Sequence, residues 1–231
     1  MKYAVFTDIH GNKQALESII NDAKKRGINN IICLGDVIGI GPKSNECIDI
    51  IKENNIELIL GNHELYLLCD NNINYKRPSA REHNEAIHKT ISQENKEFLK
   101  TCKLYKELNN MIFEHFFIVN EKEKEPYLDL KSVQDKSYRK YINNKYTHYF
   151  IGHEHAKFED NFNNTIIHCL GSSGLCKTNE TFYNIITVDN DVNIEQVKVL
   201  FDRDKFIKDL LSTNYPQRDN LSKKYYNYEI K

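Results

Sequence analysis

The first sixty residues alternate short apolar runs with stretches in which apolar positions recur at helical spacing. Apolar runs at 2–7, 31–34 and 56–60 predict buried strands, and the stretches at 12–26 and 44–52 predict amphipathic helices. Strands that alternate with helices in this way are typical of βα units carrying a parallel sheet. A polar cluster follows each strand, and ligands of open α/β sheets bind outside the carboxyl ends of the strands.

The pattern changes further along the chain. A helical stretch at about 64–101, interrupted by a polar loop at 71–78, predicts a helical insertion. Strands are predicted at 104–109, 111–119, 146–151, 158–162, 165–170, 183–188 and 192–199. Tight Asn, Asp or Gly turns separate the last four, which predicts antiparallel hairpins and a second sheet. A helix at 202–211 and a polar, tyrosine-rich tail at about 212–231 complete what we interpret as a single domain, residues 1–231.

Composition narrows the classes of partner. The 231 residues include 32 basic and 33 acidic side chains, giving a net charge of −1, so no global field attracts long nucleic acid or an anionic membrane. The N-terminal stretch reaches Asp8 and His10 before any signal-like apolar region forms, and we expect a cytoplasmic protein. Six scattered cysteines without a CxxC pair favour reduced thiols over a disulfide framework or a zinc knuckle.

The polar clusters at the strand ends carry the candidate chemistry. Asp8 and His10 are two positions apart, and in an extended segment both side chains leave the same face and can reach one ion. His153 and His155 repeat this spacing after another predicted strand. Asp36 and Asn62 each follow a glycine, which permits close approach of the backbone. Carboxylate, imidazole and amide ligands together suit Mn, Fe, Zn or Co.

Four motifs occur in a fixed order along the chain. They are Asp8-Ile9-His10-Gly11-Asn12, Gly35-Asp36-Val37-Ile38-Gly39, Gly61-Asn62-His63-Glu64 and Gly152-His153-Glu154-His155. Together they resemble the calcineurin-like metallophosphoesterase superfamily, in particular its small bacterial and archaeal phosphodiesterase branch. The resemblance extends over nearly all of the chain and includes Gly171-Ser172-Ser173-Gly174. It implies a four-layer α/β/β/α sandwich of two mixed sheets flanked by helices.

The resemblance also implies a dinuclear metal centre. By position, a first ion is bound by Asp8, His10 and His155, a second by Asn62, His115 and His153, and Asp36 bridges them, with His63 as the acid that meets the leaving group. Manganese is the leading expectation, with Fe, Zn, Co, Ni and Mg as alternatives. His115 departs from the family, which usually has Gly-Ser-Pro after this histidine, whereas here Phe116 and Phe117 follow. His148 is the nearest substitute.

The function implied is metal-dependent hydrolysis of a small phosphoester or nucleotide by a bridging hydroxide, as a phosphodiesterase or phosphatase. Two alternatives stay open: a dinucleoside polyphosphate hydrolase, and a non-catalytic metal-binding scaffold for protein interactions. A scaffold can lose Asp36, Asn62 or His63, and this chain has all three. Further side chains are candidate phosphate partners, namely Asn12, Lys43, Lys76, Arg77 and Arg81. His83 and His88 are expected to be solvated, with one of them beside the cleft, and His168 to be structural.

Overall fold

The computed structural model describes residues 1–69, 78–118, 130–214 and 216–229. The strands are β1 (Lys2–Phe6), β2 (Ile31–Cys33), β3 (Glu57–Leu58), β4 (Tyr105–Leu108), β5 (Met111–Glu114), β6 (His148–Ile151), β7 (Phe158–Phe162), β8 (Thr165–Cys169), β9 (Glu180–Val188) and β10 (Val192–Leu200). The helices are α1 (Lys13–Lys25), α2 (Ser44–Glu53), α3 (Asn62–Leu68), α4 (Pro78–His88), α5 (Gln93–Thr101), α6 (Leu130–Asp135), α7 (Arg203–Leu211) and α8 (Arg218–Tyr226), with a short 3-10 helix at Ser137–Tyr141. Most predicted elements are confirmed to within a few residues.

The strands form two mixed five-stranded sheets, as predicted. Their orders are β10-β9-β1-β2-β3 and β4-β5-β6-β8-β7. In the first sheet β1, β2 and β3 are parallel, and in the second β5, β6 and β8 are parallel. The expectation that all the later hairpins build the second sheet is wrong for β9 and β10. β9 pairs antiparallel with β1, since its inward residues Tyr183 and Ile185 complete the core of the first sheet.

The two sheets pack face to face through a shared apolar cluster. Val5 and Ile32 of the first sheet are buried together with Phe113 and Phe150 of the second, whose rings stack at 4.7 Å. On the outer face of the first sheet, α1 packs on β9 and β10 and beside α2. On the outer face of the second, the ring of Tyr138 stacks on Phe117 at 5.3 Å. The layers are therefore α/β/β/α.

The predicted C-terminal tail is wrong for residues 218–226, which form α8. Tyr226 is fully buried, with its ring 4.6 Å from that of Phe206 on α7. The Tyr226 carbonyl also accepts a hydrogen bond from Arg203 at 2.6 Å. The sequence pattern misses this helix because its buried positions are Ser222 and Tyr226 rather than an aliphatic stripe.

The structure bears on two further expectations from composition. All six cysteines are unpaired, and Cys33, Cys47, Cys169 and Cys176 are buried. No helix in the described part of the chain combines the length and the apolar character that a membrane span requires. The predicted loop at 71–78 lies almost wholly outside the described residues.

Candidate metal centre

The loops that carry the four motifs meet at one edge of the sandwich. The loops after β1 and β2 are joined by backbone hydrogen bonds from Asp8 N to the Gly35 carbonyl at 3.0 Å and from His10 N to the Asp36 carbonyl at 2.8 Å. In the second sheet, Gly152 N donates to the His115 carbonyl at 3.0 Å. Parallel strands place their carboxyl ends at the same edge. The hydrogen bonds therefore fix the motif loops against one another.

The predicted extended geometry of the Asp-x-His and His-x-His pairs is wrong. β1 ends at Phe6 and β6 at Ile151, so both pairs lie beyond their strands. The residues that carry the side chains have left-handed backbone conformations, with φ of 55° at Asp8, 48° at His10, 51° at Asp36, 71° at His153 and 58° at His155. Such residues cost roughly 1–3 kcal/mol each and cluster at functional sites. The side chains converge because the backbone turns at each of them, not because it is extended.

A close contact between two glycines brings the second and third motifs together. Gly35 has φ of +93°, and a Cβ atom on it would lie 2.5 Å from Gly61 N. A Cβ atom on Gly61 would lie 2.2 Å from Oδ1 of Asp36. Neither position has room for a side chain, so the glycines before Asp36 and Asn62 permit the close approach that the sequence predicts.

Asp8, His10, Asp36 and His155 form one cluster of ligand atoms. Their atoms lie within 4.8 Å of one another. Oδ1 of Asp8 is 3.6 Å from Nε2 of His10 and 3.2 Å from Nε2 of His155, and the two Nε2 atoms are 3.0 Å apart. Oδ2 of Asp36 is 3.8 Å from Nε2 of His10. Asp8, His10 and Asp36 are buried, and His155 retains 30% of its side-chain exposure.

Asp36, His115 and His153 form a second cluster, and Asn62 lies inside it. Nε2 of His115 is 3.3 Å from Oδ2 of Asp36, the same oxygen that faces the first cluster. Oδ1 of Asn62 lies 3.2 Å from Nε2 of His115 and 2.7 Å from Nδ1 of His153. His148, the substitute considered for His115, lies on β6 with its ring stacked on His168 at 5.5 Å. The structure thus brings together all seven sequence-predicted ligands.

The donor set fits cations. Nδ1 of His10 faces the Ile38 carbonyl at 3.2 Å, and Nδ1 of His115 faces the Leu34 carbonyl at 2.6 Å. A carbonyl can only accept, so each ring donates from Nδ1 and directs the lone pair of Nε2 into the cluster. Oδ1 of Asp8 is buried without a hydrogen-bond partner. Ligands about 2.1 Å from one ion lie roughly 3–3.5 Å apart, which matches these spacings.

The charges in the clusters stabilise one another. Burial raises the pKa of Asp8 and Asp36, but the neighbouring histidines outweigh it and hold both carboxyl pKa values below their usual range. Burial lowers the pKa of His115, but the charges of Asp36 and Asp8 raise it to about 9. Burial together with the charge of His115 lowers the pKa of His153 to about 4. Ionised carboxylates and a neutral His153 are the forms that bind cations.

His63 stands beside the first cluster. Its ring is 5.0 Å from that of His10, nearly perpendicular to it, and its backbone N–H donates to Oδ1 of Asp36 at 2.9 Å. Burial lowers the pKa of His63 to about 3, against an opposing effect of Asp36. The side chain is only half-buried, so it can meet a substrate at the mouth of the site.

Glu64 was not predicted as a site residue. Its buried carboxylate accepts hydrogen bonds from the backbone N–H groups of Asp36 and Gly61, both at 2.8 Å, and of Ile38 at 3.0 Å. It thereby joins the loop after β2 to the start of α3. A glutamate in the first turn of a helix that follows a glycine is the available sequence signal, and it is a weak one.

The candidate phosphate partners lie in different settings. Asn12 is buried, and its side chain accepts a hydrogen bond from Ala15 N at 3.1 Å and donates one to the Gly174 carbonyl at 2.8 Å. These two bonds give the side chain a structural role. Lys43 pairs with Glu46 at 3.1 Å. Arg81 is exposed and pairs with Glu85 at 2.7 Å. Lys76 and Arg77 lie outside the described residues.

The remaining histidines differ in part from expectation. His83 is not solvated: it is buried on α4 at 5% exposure, with Nδ1 3.3 Å from the Pro216 carbonyl, and a charge on it would lower the pKa of His63. His88 is half-buried. His168 lies within β8, where its ring stacks on Phe150 at 5.0 Å, as a structural residue would.

Comparison with known proteins agrees with the geometry. Residues 1–191 match the model of a family described as the calcineurin-like phosphoesterase superfamily domain. An uncharacterized protein of Methanocaldococcus jannaschii is 32% identical over 162 residues, covering 67% of this chain and 63% of that protein. A symmetrical bis(5'-nucleosyl)-tetraphosphatase of Psychromonas ingrahamii is 34% identical over 65 residues, covering 27% of this chain and 24% of that protein. The chain thus matches less than two thirds of the length of these relatives.

The fold is shared with a solved structure. A metallophosphoesterase from Sphaerobacter thermophilus superimposes with a TM-score of 0.75, covering 96% of this chain and 99% of that one. The two sequences are 17% identical. At this identity, the similarity shows the arrangement of sheets and helices, while the chemistry depends on the residues of the chain itself.

Proposed function

The chain belongs to the calcineurin-like phosphoesterase superfamily, and from this membership we propose that it hydrolyses small phosphoesters at the Asp and His clusters with two divalent cations. The observation that carries the proposal is the position of Asp36. Its Oδ2 atom lies 3.8 Å from Nε2 of His10 and 3.3 Å from Nε2 of His115, and an oxygen shared by the two clusters supports a proposal with two cations. The proposal treats the whole chain as one domain.

The residues divide between the two positions as their distances indicate. Asp8, His10 and His155 would hold one cation, and Asn62, His115 and His153 the other. When bound, two such cations lower the pKa of a water molecule and bind the non-bridging oxygens of the ester. Manganese remains the leading expectation, because imidazole and oxygen ligands without thiolate suit it and several other first-row metals.

His63 would act on the leaving group. With a pKa of about 3, the His63 ring is neutral at pH 7 in the free protein. It can then donate a hydrogen bond but carries no positive charge. An anionic ester beside the ring favours its protonated form and raises the pKa. A protonated His63 then gives its proton to the departing alkoxide, a step that contributes typically about 100- to 10,000-fold.

Two alternatives remain testable. The similarity to a bis(5'-nucleosyl)-tetraphosphatase over 65 residues supports a dinucleoside polyphosphate as a second candidate substrate. A metal-binding scaffold without activity is disfavoured, because such a protein has no need of a half-buried His63 beside the clusters. A cytoplasmic location is part of the proposal, since six unpaired thiols suit a reducing compartment.

The experiment is a metal and substrate survey of the purified chain. Metal-free protein is loaded with Mn, Fe, Zn, Co, Ni or Mg, bound metal is counted, and hydrolysis of p-nitrophenyl phosphate, bis(p-nitrophenyl) phosphate and diadenosine tetraphosphate is followed. We expect two ions per chain and hydrolysis of one or both nitrophenyl esters. ADP released faster than nitrophenol would favour the second candidate. Less than one ion per chain without any hydrolysis would favour the scaffold.

A further inference from the structure

A continuous run of rings leads from the candidate metal centre to the C-terminal helix. His63 lies 5.0 Å from His10, and His10 lies 5.0 Å from His155. His155 in turn lies 6.2 Å from Tyr225 of α8, with the two rings at 77°. Each pair is edge-to-face, the arrangement that aromatic rings prefer. Tyr225 therefore lies next to His155, a site residue that keeps 30% of its side-chain exposure.

Tyr225 is held in place by its neighbours. The adjacent Tyr226 is fully buried against Phe206, and its carbonyl accepts from Arg203 at 2.6 Å. At the other end of α8, Arg218 donates to the carbonyls of Leu211 at 2.9 Å and Thr213 at 2.7 Å. A side chain on an anchored helix loses little freedom when a ligand binds.

The insertion and the C-terminal segment contact each other. Nδ1 of His83 on α4 lies 3.3 Å from the carbonyl of Pro216, just before α8. α4 also contacts α3, whose first residue is Asn62. α8 itself lies beyond residues 1–191, the part of the chain that the family model matches.

We propose that Tyr225 is a specificity-determining residue that stacks on a planar aromatic group of the substrate, such as a nucleobase attached to the phosphoester. This rests on the proposed function. Tyr225 is partly exposed, and a tyrosine ring stacks on any base because every base has a π-face. The exposed ammonium of Lys224 lies 4.6 Å from the centre of the Tyr225 ring. Exposed cation–π contacts are weak, so a base can displace it.

The test compares two ligands that share a phosphate and a ribose and differ only in the base. The inhibition constants of adenosine 5'-monophosphate and ribose 5-phosphate are measured against hydrolysis of bis(p-nitrophenyl) phosphate by the metal-loaded protein. We expect the nucleotide to bind roughly 5- to 100-fold more tightly than the sugar phosphate, as base stacking predicts. Tyr225→Ala should bring this ratio below about 2, whereas Tyr225→Phe should keep it.

Tyr228→Ala is the matched control, since Tyr228 follows α8 and packs in the same cluster as Tyr225. It should leave the ratio unchanged. Equal binding of the two ligands by the unchanged protein would overturn the proposal, as would a loss of both in Tyr225→Ala with the ratio preserved. If the metal-loaded protein hydrolyses no ester, the proposed function fails, and calorimetric titration with the same two ligands still tests Tyr225.

Discussion

Nε2 of His115 lies 3.3 Å from Oδ2 of Asp36. The opposite ring nitrogen, Nδ1, donates to the Leu34 carbonyl at 2.6 Å, so Nε2 is the nitrogen that faces the carboxylate. Two electron-rich atoms at this distance are stabilised by a cation or a proton between them. This geometry fits the ligand role that we propose for His115, although the sequence around it departs from the family motif.

We predict that His115→Ala loses one of two bound ions. Removing this ring takes one nitrogen donor from the second cluster and leaves the first cluster intact. Equilibrium dialysis followed by elemental analysis should show a fall from about two ions per chain to about one. Mutation of an outer-shell partner typically lowers metal affinity about 10- to 100-fold, and mutation of a ligand should lower it at least as much. Turnover should fall with it.

His148→Ala is the matched control, because His148 is the histidine that the sequence offers as a substitute. Its ring stacks on His168 rather than facing Asp36. The variant should keep both ions. If His148→Ala loses an ion and His115→Ala does not, the assignment of the second cluster is wrong.

Metal binding should release a proton from His115. The charges of Asp36 and Asp8 overcome the effect of burial and raise the pKa of His115 to about 9, so the metal-free ring is protonated at pH 7.5. A cation needs the neutral ring, and binding must expel that proton. Calorimetric titration in two buffers of different ionisation heat should give about one more proton released than in His115→Gln, and the difference should vanish above roughly pH 10. An identical proton count in the two proteins would contradict this.

Six of the seven predicted ligands could be expected to lie together because their motifs follow strand ends, and strand ends in parallel sheets meet at one edge. His115 was predicted from the family resemblance alone. The backbone conformation of these motif loops could not be predicted from the sequence. Asp8 and His153 have left-handed backbones that cost free energy by themselves, and only the hydrogen bonds between neighbouring loops hold them there. His153 N donates to Oδ2 of Asp8 at 3.1 Å, and no local pattern encodes a contact between residues 145 positions apart.

The C-terminal region also shows that a local sequence pattern does not predict contacts between separate elements. Residues 212–231 are polar enough to predict a tail, yet Tyr226 becomes fully buried because α7 offers Phe206 as a partner. The pairing of β9 with β1 was missed for a similar reason, since hairpin turns identify neighbouring strands but not the sheet that the hairpin joins.

His63→Ala should retain metal and lose most turnover. If His63 protonates the leaving group, the loss should be greatest for alkyl esters, whose alkoxides need a proton, and approach the lower end of about 100- to 10,000-fold for nitrophenyl esters. Steady-state kinetics with a series of leaving groups measures this dependence. His63→Gln keeps a hydrogen-bond donor without an acid, and it should behave as the alanine variant does. A uniform loss across the series would indicate positioning instead.

Glu64→Gln should destabilise the protein and weaken metal binding. The amide can accept at only one of the two oxygen positions, so the N–H of Ile38 or those of Asp36 and Gly61 lose an acceptor. An unsatisfied buried donor costs about 1–3 kcal/mol. Urea unfolding of the metal-free protein measures the free energy of unfolding. Glu46→Gln, at a half-buried position that pairs with Lys43, should change this free energy by less than about 1 kcal/mol. Equal effects of the two substitutions would show that the backbone hydrogen bonds to Glu64 do not stabilise the protein.

The free energy of unfolding should fall below pH 6.5, in part through His168. Burial lowers the pKa of His168 from 6.5 to about 4, so between these values the unfolded chain binds a proton that the folded chain does not. At pH 5 this difference lowers the free energy of unfolding by up to about 2 kcal/mol. The exposed Glu159, 3.1 Å away, favours the protonated ring in the folded chain and reduces this loss. His168→Phe keeps the stacking on Phe150 and should therefore lose less stability between pH 7 and pH 5 than the unchanged protein. Urea unfolding with a chelator present measures the free energy of unfolding of both proteins at each pH. His88→Asn serves as the control. Parallel pH profiles for all three proteins would show that His168 does not titrate in this way.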